Sequence, residues 1–181
     1  MKDKKQTWLQ EGFKVLFEKG PAALTIDLLC QRLKQTKGAF YHHFKDRNDL
    51  VSALLASWEE TSTDRVIEQA SAEVDPEKRI RLLTALTHDL PRNPERAIRA
   101  WSLRYPAATE VQRRVDQKRV QFLESVYVAM GNSKPVAKRR SRITYALFIG
   151  GGMLVPPMSR QELDRLYLVL RPRDRQSERA R

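Results

Sequence analysis

Apolar residues recur at intervals of three and four along most of the chain, which is the spacing of one face of a helix. The first such stripe lies between Thr7 and Lys19, and Gly20 followed by Pro21 ends it. No segment alternates apolar and polar residues with the period of two that a strand requires. The pattern therefore predicts an all-α protein.

Capping residues and prolines divide this pattern into about nine helices. Thr25, Thr36 and Asp46 each precede an apolar run, and a side-chain oxygen at such a position accepts a hydrogen bond from the first helical turn. They predict short helices over 25–33 and 36–43, and a long helix from residue 47 to about residue 73. Later helices open at the prolines 76, 94, 106 and 135, and Ser159 precedes a last helix over 160–170.

The composition of the chain excludes several classes of protein. The single cysteine, Cys30, excludes a disulfide framework within the chain and a zinc site built on several cysteines. The longest apolar stretch, residues 145–157, contains three glycines and is too short to span a bilayer. The first residues lack the apolar run of a signal peptide. We therefore expect a cytoplasmic protein without a membrane segment, a metal or a cofactor.

The net charge of +12 is unevenly distributed along the 181 residues. Residues 1–60 hold ten Lys and Arg against eight Asp and Glu, whereas residues 61–181 hold twenty-four against fourteen. Within the first part, residues 32–47 hold five basic residues and one acidic residue. Two further basic clusters, 138–142 and 171–181, are typical of solvated helix faces or chain ends. The charge favours a polyanionic partner, and the local cluster favours DNA.

The two short helices over 25–33 and 36–43 are separated only by Lys34 and Gln35, which is the helix-turn-helix arrangement. The second helix of such a pair enters the DNA major groove, and its first residues meet base edges. Gly38 is a poor helix former, and its place here is explained if the backbone approaches DNA closely. Phe40 and Phe44 are one turn apart and would hold the helix to the core. A plain helical hairpin inside a bundle is the alternative.

The segment from Leu24 to Leu50, with Thr-Lys-Gly-Ala-Phe-Tyr-His-His-Phe at 36–44, resembles the DNA-binding signature of the TetR/AcrR family of bacterial transcriptional regulators. The resemblance is good over about residues 5–55 and rests on helix number and order beyond them. It implies a helix-turn-helix DNA-binding domain over 1–46, followed by a ligand-binding and dimerisation domain over 47–181.

The resemblance also implies which residues contact DNA. They are Thr25, Gln35, Thr36, Lys37, Gly38, Ala39, Tyr41, His42, Lys45 and Arg47. Thr25, Tyr41 and Arg47 correspond to phosphate contacts, and Arg47 replaces the lysine that is usual in the family. The chain departs from the family pattern at Lys34, which takes a place that favours positive φ, and at Ala39, which replaces a frequent threonine or serine.

Aromatic residues on separate helices of the second part suggest a pocket for a small molecule, with plain core packing as the alternative. The candidates are Trp101, Tyr105, Phe122, Tyr127 and Tyr145, together with His88. Small and apolar residues over 135–155 and 160–170 suggest the contact of a homodimer. Its candidates are Phe148, Ile149, Gly151, Leu154, Leu163, Leu166 and Tyr167.

These observations favour a regulator that binds a palindromic site on double-stranded DNA as a dimer, represses transcription and is released by a small-molecule effector. The alternative is a basic protein that binds nucleic acid without sequence preference and without an effector, because most of the net charge lies outside residues 1–60, which we call the head. An enzyme is not expected, since the chain shows neither metal-ligand spacing nor a nucleophile with its base.

Overall fold

The computed structural model of the protein describes residues 4–88 and 92–169. The basic cluster 171–181, and the expected end of the last helix before Pro172, lie outside the described residues. In the described part, no helix is both long enough and apolar enough to cross a membrane.

Helices make up most of the described chain. In order they are α1 (Lys4–Lys19), α2 (Ile26–Leu33), α3 (Lys37–Tyr41), α4 (Arg47–Glu59), α5 (Arg65–Ser71), α6 (Pro76–His88), α7 (Arg92–Ser102), α8 (Pro106–Ala129), α9 (Lys134–Met153) and α10 (Arg160–Val169). A 3₁₀ turn covers Pro21–Ala23. A π-helical turn, Glu60–Asp64, joins α4 to α5 without a break in the helical backbone. With α4 and α5 counted as one rod, residues 4–88 and 92–169 form nine helices and no strand, which confirms the all-α prediction.

The residues expected to cap helices do so. Thr25 Oγ1 accepts from Leu28 N at 3.3 Å, and Thr36 Oγ1 accepts from Ala39 N at 3.2 Å. Asp46 Oδ1 accepts from the backbone N–H of Asp49 at 2.9 Å, at the start of α4. Each of these bonds satisfies a helix N–H that would otherwise lack a partner, so the short helices α2 and α3 begin where the sequence indicates.

Contacts divide the chain into two compact units, Met1–Arg119 and Val120–Arg181, so the boundary lies within α8. The predicted functional boundary after residue 46 is different, because α4 packs with the first three helices. Its residues Leu50 and Leu54 are almost fully buried. A Cβ at Gly12 would lie 3.0 Å from Leu54 Cδ1, so α1 and α4 approach closely at that glycine. The boundary after residue 46 stays a prediction.

The core of the first unit is continuous from α1 to the first half of α8. Trp8 meets the edge of Phe40 at a centroid distance of 5.5 Å, and Phe40 lies 5.3 Å from Phe44. Burying a large apolar side chain contributes about 1.5–3 kcal/mol. Phe40 and Phe44 are 0% and 1% exposed, so they fix the short helix α3 to this core, as expected.

In the second unit, α9 packs against α10 at Gly151. A Cβ there would lie 2.7 Å from Leu163 Cδ2 and 3.2 Å from Met158 Sδ. Leu163 is 2% exposed. A close approach at Gly151 is therefore made inside one chain, between α9 and α10. The assignment of Gly151 and Leu163 to a dimer contact stays a prediction.

Candidate nucleic-acid interface

The turn between α2 and α3 has a defined geometry. Lys34 adopts the left-handed conformation, with φ 52°, as its position led us to expect. Gln35 N donates to Cys30 O at 2.9 Å, and Lys34 N donates to Gln31 O at 3.3 Å. This pair of bonds closes the end of α2 in a Schellman motif. It sets the direction in which α3 leaves.

With its phenylalanine side inside the core, α3 presents its other side to solvent. Lys37 and Gly38 are exposed, and Tyr41 is 55% exposed although its ring meets the edge of Phe40 at 5.4 Å. Of the ten expected DNA residues, eight are exposed, and Ala39 and Arg47 are half-buried. All ten belong to the segment from the start of α2 to the start of α4.

The side chain of Lys37 has a partner that sequence reasoning missed. Its Nζ lies 2.7 Å from Asp27 Oδ1 in the first turn of α2, and both side chains are largely exposed. The hydrogen bond to Asp27 raises the pKa of Lys37. The ion pair orients Lys37 beside the start of α3. The only sign of this ion pair in the sequence was the acidic residue Asp27 near the start of the predicted helix over 25–33.

Arg47 has a role inside the head. Its Nε donates to Leu24 O at 2.7 Å and its Nη2 donates to Pro21 O at 3.0 Å. The guanidinium thus ties α4 to the segment between α1 and α2, a role that the resemblance did not indicate. Its remaining N–H groups are compatible with a phosphate contact, which stays a prediction.

Arg32 was counted in the basic cluster, but its charge is neutralised within the head. It pairs with Glu18 at 2.6 Å and with Glu11 at 3.1 Å, and so links α2 to α1. The hydrogen bond from Arg32 lowers the pKa of Glu18. Arg32 therefore positions α2 and contributes little free charge for a polyanion.

A groove of about 310 Å³ lies between α1 and α3. It is lined by Thr7, Trp8, Leu33, Gln35, Ala39, His42 and His43. Three of these, Gln35, Ala39 and His42, are among the expected DNA residues. Because Ala39 and His42 line it, the groove combines an apolar surface with hydrogen-bonding groups.

The residues expected to bind a ligand are found in both units. Trp101 is 5% exposed and stacks on Tyr105 at a centroid distance of 4.8 Å in the first unit. Tyr127 and Tyr145 are buried in the second unit, where the Tyr127 hydroxyl forms a 2.7 Å hydrogen bond with the hydroxyl of Thr144. Phe122 and His88 are half-buried. Trp101 belongs to the continuous apolar core, so a pocket around it stays a prediction.

The other residues expected at a dimer contact are accessible to different extents. Leu154 is 49% exposed and Leu166 is 38% exposed, whereas Phe148, Ile149 and Tyr167 are half-buried. Further apolar residues nearby are exposed and were not predicted. They are Met153, Val155, Leu168 and Val169. The ends of α9 and α10 thus carry an accessible apolar surface.

Sequence reasoning missed a polar cluster where the α4–α5 rod meets α8. Glu59 is 7% exposed and accepts from Arg114 Nε at 2.8 Å, with Lys118 Nζ 2.9 Å away. The hydrogen bond from Arg114 is the main cause of a lowered pKa at Glu59, and Lys118 acts in the same direction, while burial opposes both. A buried carboxylate of this kind is kept charged by its two cations.

The side chain of Arg119, from α8, contacts the π-helical turn beside this cluster. Its Nη2 donates to Ser62 O at 3.2 Å, and its Nε donates to Thr63 Oγ1 at 3.0 Å. Its Nη1 donates to Glu95 of α7 at 3.0 Å, and the guanidinium lies 5.5 Å from the ring centre of Trp58. Arg119 therefore links the rod that begins in the head to α7 and α8.

Together, the anchored second helix of the pair and its exposed outer side define a helix-turn-helix motif near the start of the helical chain. Residues 9–54 match the model of the tetR family of bacterial regulatory proteins. The match covers 46 of the 181 residues and lies on the helix-turn-helix segment.

Two curated proteins are similar over part of the chain. The transcriptional regulator AcuR of Cereibacter sphaeroides is 29% identical over 86 residues, which are 46% of this chain and 39% of that protein. The transposon Tn10 TetC protein of Escherichia coli is 51% identical over 46 residues, which are 25% of this chain and 23% of that protein. Each match thus spans less than half of either protein.

Two solved structures have a similar fold over most of the chain. A transcriptional regulator from Rhodococcus sp. Rha1 has a TM-score of 0.66 at 18% identity and covers 83% of this chain and 82% of its own. The regulatory protein TetR from Rhodobacter sphaeroides has a TM-score of 0.54 at 22% identity, and the match covers 92% of this chain and 90% of that protein. At these identities the likeness concerns the fold alone.

Proposed function

We propose that this chain is a transcriptional regulator that binds double-stranded DNA with α3 in the major groove. The observation that supports this most is the two-sided character of α3. Phe40 and Phe44 fix one side to the core, while Lys37, Gly38 and Tyr41 remain accessible on the other. A rigid helix with a free polar side is what reading of base edges requires.

Gly38 supports the same proposal. A Cβ there would have only Thr36 Oγ1 within 4 Å among the described residues, at 3.7 Å. Packing within the chain therefore gives no reason for a glycine at this position. A surface that must approach this backbone from outside gives one, and a phosphate or base edge is such a surface.

We further propose that the protein acts as a homodimer on a palindromic site. The exposed Leu154 and Leu166, with the apolar residues near them, form a surface that a second copy would cover. A two-fold dimer presents two copies of α3, and the half-sites then lie about 34–36 Å apart or at a multiple of that distance.

Release by a small-molecule effector, with repression in its absence, completes the proposal. Trp101 and Tyr105 stack beside α8, and the contacts of Arg119 connect this region to the rod that leaves the head. A ligand that binds one arrangement of these helices better than another shifts the DNA-competent population by that difference in affinity.

The experiment that tests the proposal begins with selection of duplexes from a random pool by the full chain. The selected site is then used in fluorescence anisotropy with wild type and Tyr41→Ala, and with Lys14→Ala as the control on the exposed side of α1. We expect Tyr41→Ala to bind the selected site at least about tenfold more weakly, with unchanged helicity, and Lys14→Ala to bind like wild type. Equal affinity of wild type for selected and random duplexes would favour the alternative, a basic protein without sequence preference.

The effector proposal has its own test. Compounds that quench tryptophan fluorescence and release the selected site are compared on wild type and Trp101→Phe. Loss of release with unchanged DNA affinity supports a pocket at Trp101. Unchanged release, or an unfolded variant, assigns Trp101 to the core alone.

A further inference from the structure

The first half of α9 carries the densest positive charge in the described chain outside the head. Lys134, Lys138, Arg139, Arg140 and Arg142 lie within nine residues, and α9 contains no acidic residue. We call Lys138, Arg139 and Arg142, with Lys134 one turn earlier, the α9 basic stripe. At a helical rise of 1.5 Å per residue it extends over about 12 Å.

The charges of the stripe have no anionic partner in residues 4–88 and 92–169. This contrasts with the first unit, where Arg32, Arg99, Arg114 and Arg119 each contact a carboxylate. Arg140 lies toward the buried side of α9 and has a buried Nη1 without a hydrogen-bond partner among the described residues. It is therefore not counted in the stripe.

The stripe lies on the solvent side of α9. Lys134, Lys138, Arg139 and Arg142 are all exposed. The opposite side of the helix is buried within the second unit, where Ala137 and Ser141 are 0% exposed. All four cations of the stripe are thus accessible at once to a single extended anion.

We propose that the α9 basic stripe is a second DNA contact, which binds the phosphate backbone of double-stranded DNA without reading sequence. The distribution of charge supports DNA as the partner: residues 61–181 carry a net charge of +10, against +2 for residues 1–60. Affinity for a phosphate backbone follows the number of cations that replace its counterions. The head alone supplies few of them, because Arg32 is paired within it.

The surroundings of the stripe disfavour other polyanions. No aromatic residue stands within residues 134–143, so unpaired bases would find nothing on which to stack. Within residues 134–143, Ala137 is buried and Ile143 is the one exposed large apolar residue, so this part of α9 has no continuous apolar face to insert into a lipid surface. A duplex backbone requires only accessible cations at regular spacing, which the stripe provides.

The test compares the salt dependence of binding to a 30-base-pair duplex of random sequence. The variant is the triple substitution Lys138→Gln, Arg139→Gln and Arg142→Gln in the full chain. The control removes three exposed charges elsewhere, by Lys78→Gln, Arg104→Gln and Arg165→Gln. Each phosphate contact contributes about 0.9 to the slope of log affinity against log salt. We expect the slope of the stripe variant to be smaller by about 2.7 and its affinity at low salt to be at least about tenfold weaker. The slope of the control should fall by less than the contribution of one phosphate contact.

Equal slopes for the stripe variant and the control would overturn the proposal. So would stripe-dependent binding to polyglutamate or to vesicles of phosphatidylserine and phosphatidylcholine without stripe-dependent binding to the duplex. Tyr41→Ala in the same assay separates this inference from the proposed function. It should weaken binding to the selected site and leave the random-sequence slope within one contact of wild type.

Discussion

The substitution Gly38→Ala distinguishes the effect of residue 38 on stability from its effect on the proposed DNA contact. The added Cβ would lie 3.7 Å from Thr36 Oγ1, an ordinary van der Waals distance. The backbone of Gly38 is not in the left-handed region, so alanine fits without strain. Glycine costs about 0.5–1 kcal/mol relative to alanine within a helix. Because Gly38 lies in the first turn of α3, we expect a gain near the lower end, about 0.5 kcal/mol in the free energy of unfolding.

The same methyl group should weaken DNA binding. It would stand on the exposed start of α3, where the proposed contact brings the backbone against the duplex. We expect at least about a tenfold loss of affinity for the selected site, which corresponds to about 1.4 kcal/mol. Thermal unfolding followed by circular dichroism should give a midpoint about 1–2 °C higher, while fluorescence anisotropy reports the loss of binding.

The control for this experiment is Ala39→Gly, the reverse change at the next residue. It should lower the free energy of unfolding by about 0.5–1 kcal/mol. If Gly38→Ala binds the selected site as wild type does, no close approach occurs at residue 38, and the support that Gly38 lends to the proposed function is lost. If Gly38→Ala is less stable than wild type, the reasoning from open space around its Cβ is wrong.

Three further predictions concern other contacts. Gly151→Ala should lower the thermal midpoint because its Cβ meets Leu163 within 3 Å, whereas Gly150→Ala, with nothing within 4 Å, should raise or preserve it; equal midpoints would contradict the packing argument. Glu59→Gln should be less stable than wild type at neutral pH, and the difference should shrink as pH falls through and below the ordinary carboxyl pKa of 4.5. This sign follows because a lowered pKa contributes stability above the ordinary value and loses it below; pH titration of chemical unfolding measures it. Asp27→Asn should bind the selected site two- to fivefold more tightly by anisotropy, on the order of 0.4–1 kcal/mol, because Lys37 is then free for phosphate; weaker binding would indicate that Asp27 holds Lys37 in its productive position.

Local features of the head could be predicted because their causes are local. A threonine or aspartate before an apolar run can accept from the first turn, and Thr25, Thr36 and Asp46 do so. The positive φ of Lys34 was implied by the family resemblance, in which this place of the turn favours positive φ. The burial of Phe40, with Phe44 one turn later, followed from helical periodicity. None of these features depends on residues far away in the chain.

Features that depend on residues far apart in the chain could not be predicted from the sequence. Arg32 and Arg47 looked like free cations for DNA, but acceptors 14 to 26 positions away occupy them. Gly151 signalled a close helix contact, yet nothing in its spacing said whether the neighbour was a second copy or α10. A small residue indicates that another segment packs closely against it, and a charged residue indicates that it has an ionic partner. Which residue that neighbour is depends on the tertiary fold.

The π-helical turn illustrates how such distant pairing can serve the proposed function. Ser62 lies within the turn, and its backbone carbonyl accepts from Arg119, while its own hydroxyl donates to Trp58 O at 2.6 Å. A wide turn of this kind leaves backbone groups available to partners outside the helix. Arg119 also bonds to Glu95, so movement of α8 relative to α7 or to the rod would break charge-assisted hydrogen bonds of this guanidinium. Helices joined in this way favour a few discrete arrangements over a continuous range. A ligand beside Trp101 that preferred one arrangement would thereby act on the rod that begins in the head, which is the linkage that effector release of DNA requires.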